Sequence, residues 1–346
     1  MEAGQRSSDS HTVGELPSSA VAWTAWHHRL HQWLLRHPQL LPDGARLLLA
    51  LSGGQDSMAL LKLLQDLRQQ HQWSLQLWHG DHGWHPGSAG VANELQHWCT
   101  EQGFELTIEQ APAQLARTEA AARHWRYEAL ERQARRSDAD VVTGHTASDR
   151  AETLLLQMAR GTDLAGLASL RPVRRLSPDG PWLRRPLLGF SRADTARIGR
   201  DLALPIWKDP SNDSAAFTRN RIRREVLPVL EALHPDCSRR MAAQAERLSE
   251  VRDTQLELGA LVLEQLQAGD GLERRQLGQL SHASRRLLLA QWLQQQGVPT
   301  LAAPLLDQLS SRLAAGAPGG SSHLPGGWQL HWQGNSLRLQ PPGARH

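Results

Sequence analysis

Between about residues 45 and 160, short apolar runs alternate with segments of helical periodicity, and this alternation constrains the fold more than any other feature. Leu47–Leu51 reads as a buried strand, and Ser57–Leu67 follows as a helix. "SLQLWHGDHG" (74–83) predicts a second strand with a polar exit, 88–102 a helix stopped by Gly103, and "FELTIEQ" (104–110) an alternating strand. A helix is expected over 118–136, a strand and loop over 139–146, and a helix from Asp149 to Arg160 that halts at Gly161. Strands separated by helices at this spacing call for a parallel sheet with helices on both faces. Ligands of such sheets bind beyond the carboxyl ends of the strands. The polar clusters after Leu51, Trp78 and Val142 fall at those ends.

The rest of the chain has a different character. Residues 161–225 read as loop-rich, with many Arg and Pro. Residues 242–266 read as one long amphipathic helix, with more helices to about 315. The linker "GAPGGSSHLPGG" (316–327) then leads into "WQLHWQGNSLRLQ" (328–340), whose central Gly-Asn predicts a β-hairpin. The expected organisation is a flexible tail over 1–22, an α/β parallel-sheet catalytic domain over 23–225, and a smaller, mainly helical domain with a C-terminal hairpin over 226–346.

Composition closes off several classes. No apolar stretch reaches the roughly 18 residues of a membrane helix. The first 20 residues are polar with one arginine, unlike a signal or transit peptide. A cytoplasmic protein with no membrane contact is expected. Cys99 and Cys237 are far apart and form no CxxC pair, which argues against a zinc site, an iron–sulfur cluster or a disulfide framework. Formal charge is only +3, yet the sequence pI is about 9.4. Lysine occurs only at 62 and 208, so the positive charge is arginine. Guanidinium forks match phosphate and stack on bases, which suits RNA; an arginine-favouring genome would give the same bias.

The connection between the first strand and helix, "SGGQDS" (52–57), carries chemistry. Gly53 and Gly54 let the backbone turn sharply and bring its N–H groups against a ligand. The helix N-terminus behind them attracts phosphate, and Ser52 and Ser57 add hydroxyls. Asp56 would repel phosphate directly, so its presence points to Mg2+ between carboxylate and phosphate. The same residues also suit an ordinary capped turn. Walker-type GxxxxGK[ST] and GxGxxG motifs are both absent. The stretch resembles the SGGxDS loop of the PP-loop ATP pyrophosphatases. That resemblance implies a Rossmann-like, adenine nucleotide alpha-hydrolase-like domain that splits ATP into AMP and pyrophosphate and places the adenylate on an acceptor oxygen, with Ser52, Gly53, Gly54, Gln55, Asp56 and Ser57 at the nucleotide.

Six further stretches occur in a fixed order: "HGDHGWH" (79–85), "EAAARHWRY" (119–127), "GHTASDRAET" (144–153), "RGTDLAGLASL" (160–170), "RRPLL" (184–188) and "DPSNDSAAFTRNRIR" (209–223). Together they are similar to the tRNA(Ile)-lysidine synthetase family over roughly residues 45–225. The resemblance implies a two-step ligation that changes the tRNA from methionine to isoleucine identity. ATP adenylates the wobble cytidine of a CAU-anticodon tRNA(Ile), and the ε-amine of free L-lysine then displaces AMP. Asp149 and Glu152 lie three apart at a helix start and share a face. They can hold Mg2+, grip the lysine ammonium or help remove its proton, whose reference pKa is about 10.4; acids there also simply complement the helix dipole.

His145 precedes these acids and is a candidate for phosphate or cytidine contact, or a structural hydrogen-bonder. Arg123 and Arg126 share a helix face beside Tyr127, the single tyrosine, in the region the family places near the ATP phosphates and the flipped base. Asp56, Asp149, Glu152, Arg123 and His145 are thus the expected catalytic set, with Asp56 and Asp149 at the metal. The arginine run over 219–224 is expected to contact RNA phosphate.

The chain departs from the family's HHxDDxxET pattern at Thr146, Ser148 and Arg150, and has Asp81 and His85 where Asn and Arg are frequent. The competing readings are a tRNA-thiolating PP-loop enzyme, which needs cysteines this chain does not supply, and a catalytically inactive tRNA- or nucleotide-binding protein. A homodimer is left open.

Overall fold

The computed structural model describes residues 23–84, 87–207 and 218–343. The tail expected over 1–22, His85 and the "DPSND" part of the last motif lie outside the described residues. The chain forms two compact units, Met1–Leu156 with Leu170–Ala242, and Gln157–Ser169 with Ala243–His346.

The first unit opens with α1 (Ala25–Arg36), then alternates β1 (Arg46–Ala50), α2 (Gln55–His71), β2 (Ser74–Asp81), α3 (Ser88–Glu101), β3 (Leu106–Gln110), α4 (Glu119–Ser137), β4 (Asp140–Thr143) and α5 (Ala147–Ala159). The short α6 (Leu164–Leu167) precedes β5 (Val173–Arg175), β6 (Trp182–Arg184), α7 (Arg192–Asp201), α8 (Thr218–Arg221), a π-helical turn over Ile222–Val226, α9 (Leu227–Leu233) and α10 (Cys237–Leu266). Strand order is β3-β2-β1-β4-β6-β5, with every pairing parallel except β5–β6. The parallel sheet expected from the alternation is therefore present. The stretch read as loop-rich also holds the β5–β6 hairpin, whose three-residue strands are too short to show a period, and α7, in which Ile198 is the one large apolar residue.

Helices cover both faces because successive strand side chains point opposite ways. Leu47 and Leu49 of β1 pack with α2, Leu30 and Leu34 of α1, and Ile198 of α7. Leu48, between them, packs with Trp125, Ala129 and Leu130 of α4 on the other face. Strand β1, buried from both sides, reads as a continuous apolar run. β1 pairs with β2 on one side and β4 on the other. The chain thus runs outward in opposite directions from β1 and β4, and their carboxyl ends open a crevice.

The second unit continues with β7 (Gln267–Ala268), β8 (Gly271–Glu273), α11 (Arg274–Gln279), α12 (His282–Gln295), α13 (Ala303–Arg312), β9 (Gly320–His323), β10 (Gln329–Gln333) and β11 (Ser336–Gln340). The expected hairpin is β10–β11, closed between Gln333 and Ser336. It forms part of a five-stranded antiparallel sheet, β7-β8-β11-β10-β9. β9 lies within the segment read as a linker: its Gly and Ser have little strand propensity, and pairing with β10 makes the strand. Leu330, Trp332 and Leu337 of this sheet bury against Leu289 and Trp292 of α12 and Leu309 of α13.

Candidate active site

The crevice holds a cavity of about 410 Å³, walled by residues from the turns after β1, β2 and β4, from α4, and from Arg219, Asn220 and Arg223. The first wall is the SGGQDS turn. Gly53 has φ +76°, a backbone conformation that favours glycine, and the Trp207 backbone N–H donates to Gly53 O at 3.0 Å. Gly54 caps α2 with no side-chain acceptor, so the first amides of the helix carry no cap. The Ser52 and Ser57 hydroxyls meet at 3.0 Å, and Ser57 donates to Gly54 O at 2.9 Å. Ser52, Gly54, Asp56 and Ser57 line the cavity. The Gln55 side chain turns away to Arg192 O and Thr195 Oγ1, each at 2.8 Å.

Across the crevice, Gly144 lets the β4–α5 turn approach α2. A Cβ there would meet the Asp56 carbonyl and Ser57 N at 3.0 Å. Behind it stand His145 and Asp149, both on the cavity wall. His145 Nδ1 pairs with Thr143 Oγ1 at 2.8 Å. Burial, helped by the charges of Arg185, Arg219 and Arg126, holds the imidazole well below its usual pKa against the pull of Asp149. It is a neutral hydrogen-bonding group at pH 7.

Asp149 and Glu152 do share a face, and Arg219 and Arg223 close it. Thr146 donates both N–H and Oγ1–H to Asp149 Oδ2 at 2.8 Å. Arg219 reaches Asp149 Oδ1 at 3.0 Å and Glu152 Oε2 at 2.7 Å. Arg223 adds 2.6 Å to Glu152 Oε1 and 3.0 Å to Oε2. The Glu152 side chain is 0% exposed. Burial alone would raise the Asp149 carboxyl, but Arg219, with Thr146 N–H and Arg223, outweighs it and holds it far below the carboxylate range. These two arginines of the run expected to face RNA thus sit against buried carboxylates, while Arg221 pairs with exposed Glu225. A charge-rich run signals solvent only until acids elsewhere in the fold are brought to it.

Asp56 is the opposite case. Burial raises its carboxyl; Arg192 opposes this and the charge of Asp149 adds to it. Its Oδ2 faces the Arg192 guanidinium at 3.7 Å, and Thr195 Oγ1 donates to Oδ1. Asp149 has both oxygens engaged in hydrogen bonds, whereas Asp56, which lines the cavity, has its hydrogen bonds at Oδ1. Among the described residues, no group of three or more His, Cys, Asp or Glu is arranged to hold a metal. A divalent ion here therefore fits Asp56 and needs ligand phosphates to complete its shell.

Arg123 and Arg126 line the cavity and sit against the Tyr127 ring, their guanidinium carbons 5.1 and 5.9 Å from its centroid. Arg174 approaches the same ring at 5.3 Å. Burial would push the Tyr127 phenol up, but Arg185, Arg123 and Arg126 bring it down to about 8. Burial also lowers Arg126. A desolvated cationic wall of this kind attracts an anion. Thr195, Arg192 and Trp207 had no distinguishing signal in the sequence, and Arg185 lay in the "RRPLL" stretch with no role read for it.

A family model described as a PP-loop domain matches residues 27–230. The tRNA(Ile)-lysidine synthase of Parasynechococcus marenigrum (strain WH8102) is 62% identical over 337 residues, covering 96% of this chain and 100% of its own length. A tRNA(Ile)-lysidine synthase of Prochlorococcus marinus is 42% identical over 325 residues, covering 92% of this chain and 96% of its own length. Among solved structures, the U34-tRNA thiolase NcsA from Methanococcus maripaludis, with its 4Fe–4S cluster, matches with a TM-score of 0.56 at 20% identity, over 65% of this chain and 78% of that one. That last likeness concerns the fold alone.

Proposed function

This chain belongs to the tRNA(Ile)-lysidine synthase family of PP-loop enzymes, and from that premise we propose how its residues divide the work. The reaction is ATP-dependent formation of lysidine on tRNA(Ile), a ligation. The observation that carries the assignment of residues is the shared cavity joining Ser52, Asp56, Arg123, His145, Asp149 and Arg219.

In the first step the wobble cytidine of a CAU-anticodon tRNA(Ile) takes the adenylate. The uncapped N-terminus of α2 and the Ser52 and Ser57 hydroxyls receive ATP phosphate. Mg2+, when bound, would offset negative charge on the phosphate oxygens; Asp56 Oδ2, paired only at 3.7 Å with Arg192, would hold it. Arg123 and Arg126, which make no ion pair with a carboxylate among the described residues, supply cationic cover for the departing pyrophosphate and the base. Neutral His145 hydrogen-bonds the cytidine.

In the second step the ε-amine of free L-lysine displaces AMP. Asp149 and Glu152 are the acids suited to its ammonium, yet Arg219 and Arg223 hold them. Guanidinium forks also fit phosphate. As ATP enters, the arginines turn to its phosphates and free carboxylate oxygens for lysine. The order of binding follows: nucleotide and tRNA first, lysine second. Asp149 becomes available to the metal only in that rearranged state. The reaction is assigned to the cytoplasm. Thiolation is not favoured, because Cys99 and Cys237 are both buried free thiols.

The test is ATP–pyrophosphate exchange with purified protein, Mg2+ and unmodified CAU-anticodon tRNA(Ile), with and without lysine. Exchange that requires the tRNA but not lysine is expected, with AMP and modified tRNA appearing when lysine is added. ATP binding without any exchange would overturn the assignment.

A further inference from the structure

We propose that Thr195 is a positioning residue that aims the Asp56 carboxylate into the nucleotide cavity. The proposal rests on the reading of Asp56 as the carboxylate that faces the metal. An aspartate in the first turn of a helix has several rotamers open to it, and only some present an oxygen to the crevice. Thr195 removes that freedom from behind. It lies in the first turn of α7, fully buried, and its hydroxyl donates to Asp56 Oδ1.

The hydroxyl has one proton and two acceptors within reach, Asp56 Oδ1 and Arg192 O, the latter at 3.0 Å. Gln55 decides between them. Its amide nitrogen donates to Arg192 O at 2.8 Å and to Thr195 Oγ1 at 2.8 Å. The two amide hydrogens thereby satisfy the competing carbonyl and one hydroxyl lone pair, leaving the hydroxyl proton to the carboxylate. This gives Gln55 a purpose although its side chain leaves the cavity.

Thr195 is itself anchored. Its N–H donates to Ser191 O at 3.2 Å, and Ser191 and Asp194 form a reciprocal capping box at the start of α7. Asp194 is gripped by Arg239 at 2.6 Å and Arg29 at 3.3 Å. The helix start is therefore held from α1 and from the first turn of α10. With Oδ1 pinned, Oδ2 of this cavity-lining residue is left to Arg192 at 3.7 Å, whose side chain is 37% exposed. A divalent ion that displaces Arg192 meets a carboxylate already oriented.

The experiment uses Mn2+ as the probe, counting free ion by electron paramagnetic resonance as it is titrated into full-length protein holding a non-hydrolysable ATP analogue. Thr195→Val, which keeps the shape and removes the hydroxyl, is expected to weaken Mn2+ binding by about 10- to 100-fold, the usual cost of losing a group that orients a ligand. Thr195→Ser is expected to restore it. Affinity for the analogue in EDTA should be the same in all three proteins. Gln55→Leu, at a half-buried position outside α7, is expected to weaken Mn2+ binding by a smaller factor, and it serves if Thr195→Val does not fold. Asp56→Asn separates the two readings. Unchanged Mn2+ binding in Asp56→Asn would show that Asp56 does not face the metal. Loss there, with Thr195→Val or Gln55→Leu at wild-type affinity, would overturn the positioning role of Thr195.

Discussion

Tyr127 is the only tyrosine in the chain, so its ionisation can be read without interference from another phenol. A tyrosine half-ionises near pH 10 in water; this one is brought down to about 8 because the charges of Arg185, Arg123 and Arg126 outweigh the cost of burial. Titration of the near-ultraviolet phenolate band should show one midpoint near pH 8. Bound pyrophosphate, by neutralising the arginines, should move it back up. A midpoint at the ordinary value, unmoved by pyrophosphate, would mean that the cationic wall is not assembled. The motif already placed Arg123, Arg126 and Tyr127 together, since they lie within one short stretch of a single helix. Arg185 is far away in sequence, and only the fold brings it to the same phenol.

Among the elements, the close approach of the β4–α5 turn to α2 brings two walls of the cavity together. Gly144 makes it by having no side chain. In Gly144→Ala the new carbon meets backbone atoms of Asp56 and Ser57 at 3.0 Å, and backbone gives way less than a flexible side chain. Overpacking of this kind costs about 1–3 kcal/mol. The variant should fold with a lowered urea midpoint and bind ATP more weakly, as measured by calorimetry, because the turn or α2 must shift. Wild-type ATP affinity would show that the two walls are not coupled. The elements β1, α2, β2, α3, β3, α4, β4 and α5 were all legible, each as a run of its own period. β9 and the hairpin β5–β6 were not, because three- and four-residue strands rich in Gly, Ser or Arg acquire strand geometry from their neighbours.

At the scale of the whole molecule, acid stability sums several sites. Asp149, Asp66 and Asp194 are each held below the usual carboxylate range, and in each case polar partners overcome the opposing effect of burial. For Asp66 these are His27 and Lys62; for Asp194 they are Arg239, the Ser191 amide and Arg29. A carboxyl whose pKa is lower folded than unfolded adds stability that is complete above the unfolded value, about 3.9 for Asp, and is lost as pH falls through the folded one. Asp56, shifted upward, acts in the other direction and relieves a cost as it protonates. His145, held neutral in the fold but protonated by the unfolded chain below about pH 6.5, makes urea unfolding free energy decline between pH 7 and 5, and the aspartates add a steeper fall below about 4. Loss that ends by pH 5, with no further fall below 4, would contradict these ion pairs.

The order of strands and helices, the SGGQDS turn and the acidic pair of α5 were determined by local sequence. Periodicity, glycine placement and carboxylate spacing act over a few residues and need no distant partner. Tertiary structure alone decided what those groups meet. Arg219 and Arg223, 67 and 71 residues from Glu152, read as part of a run expected to contact RNA phosphate until the fold set them on buried acids. Thr195, 139 residues from Asp56, is an unmarked residue in a short helix until α7 is laid against the turn. Such pairings depend on chain segments closing large loops, driven by burial of apolar faces that specify no particular polar contact. The polar contacts are then selected by whichever donors and acceptors burial has brought within reach.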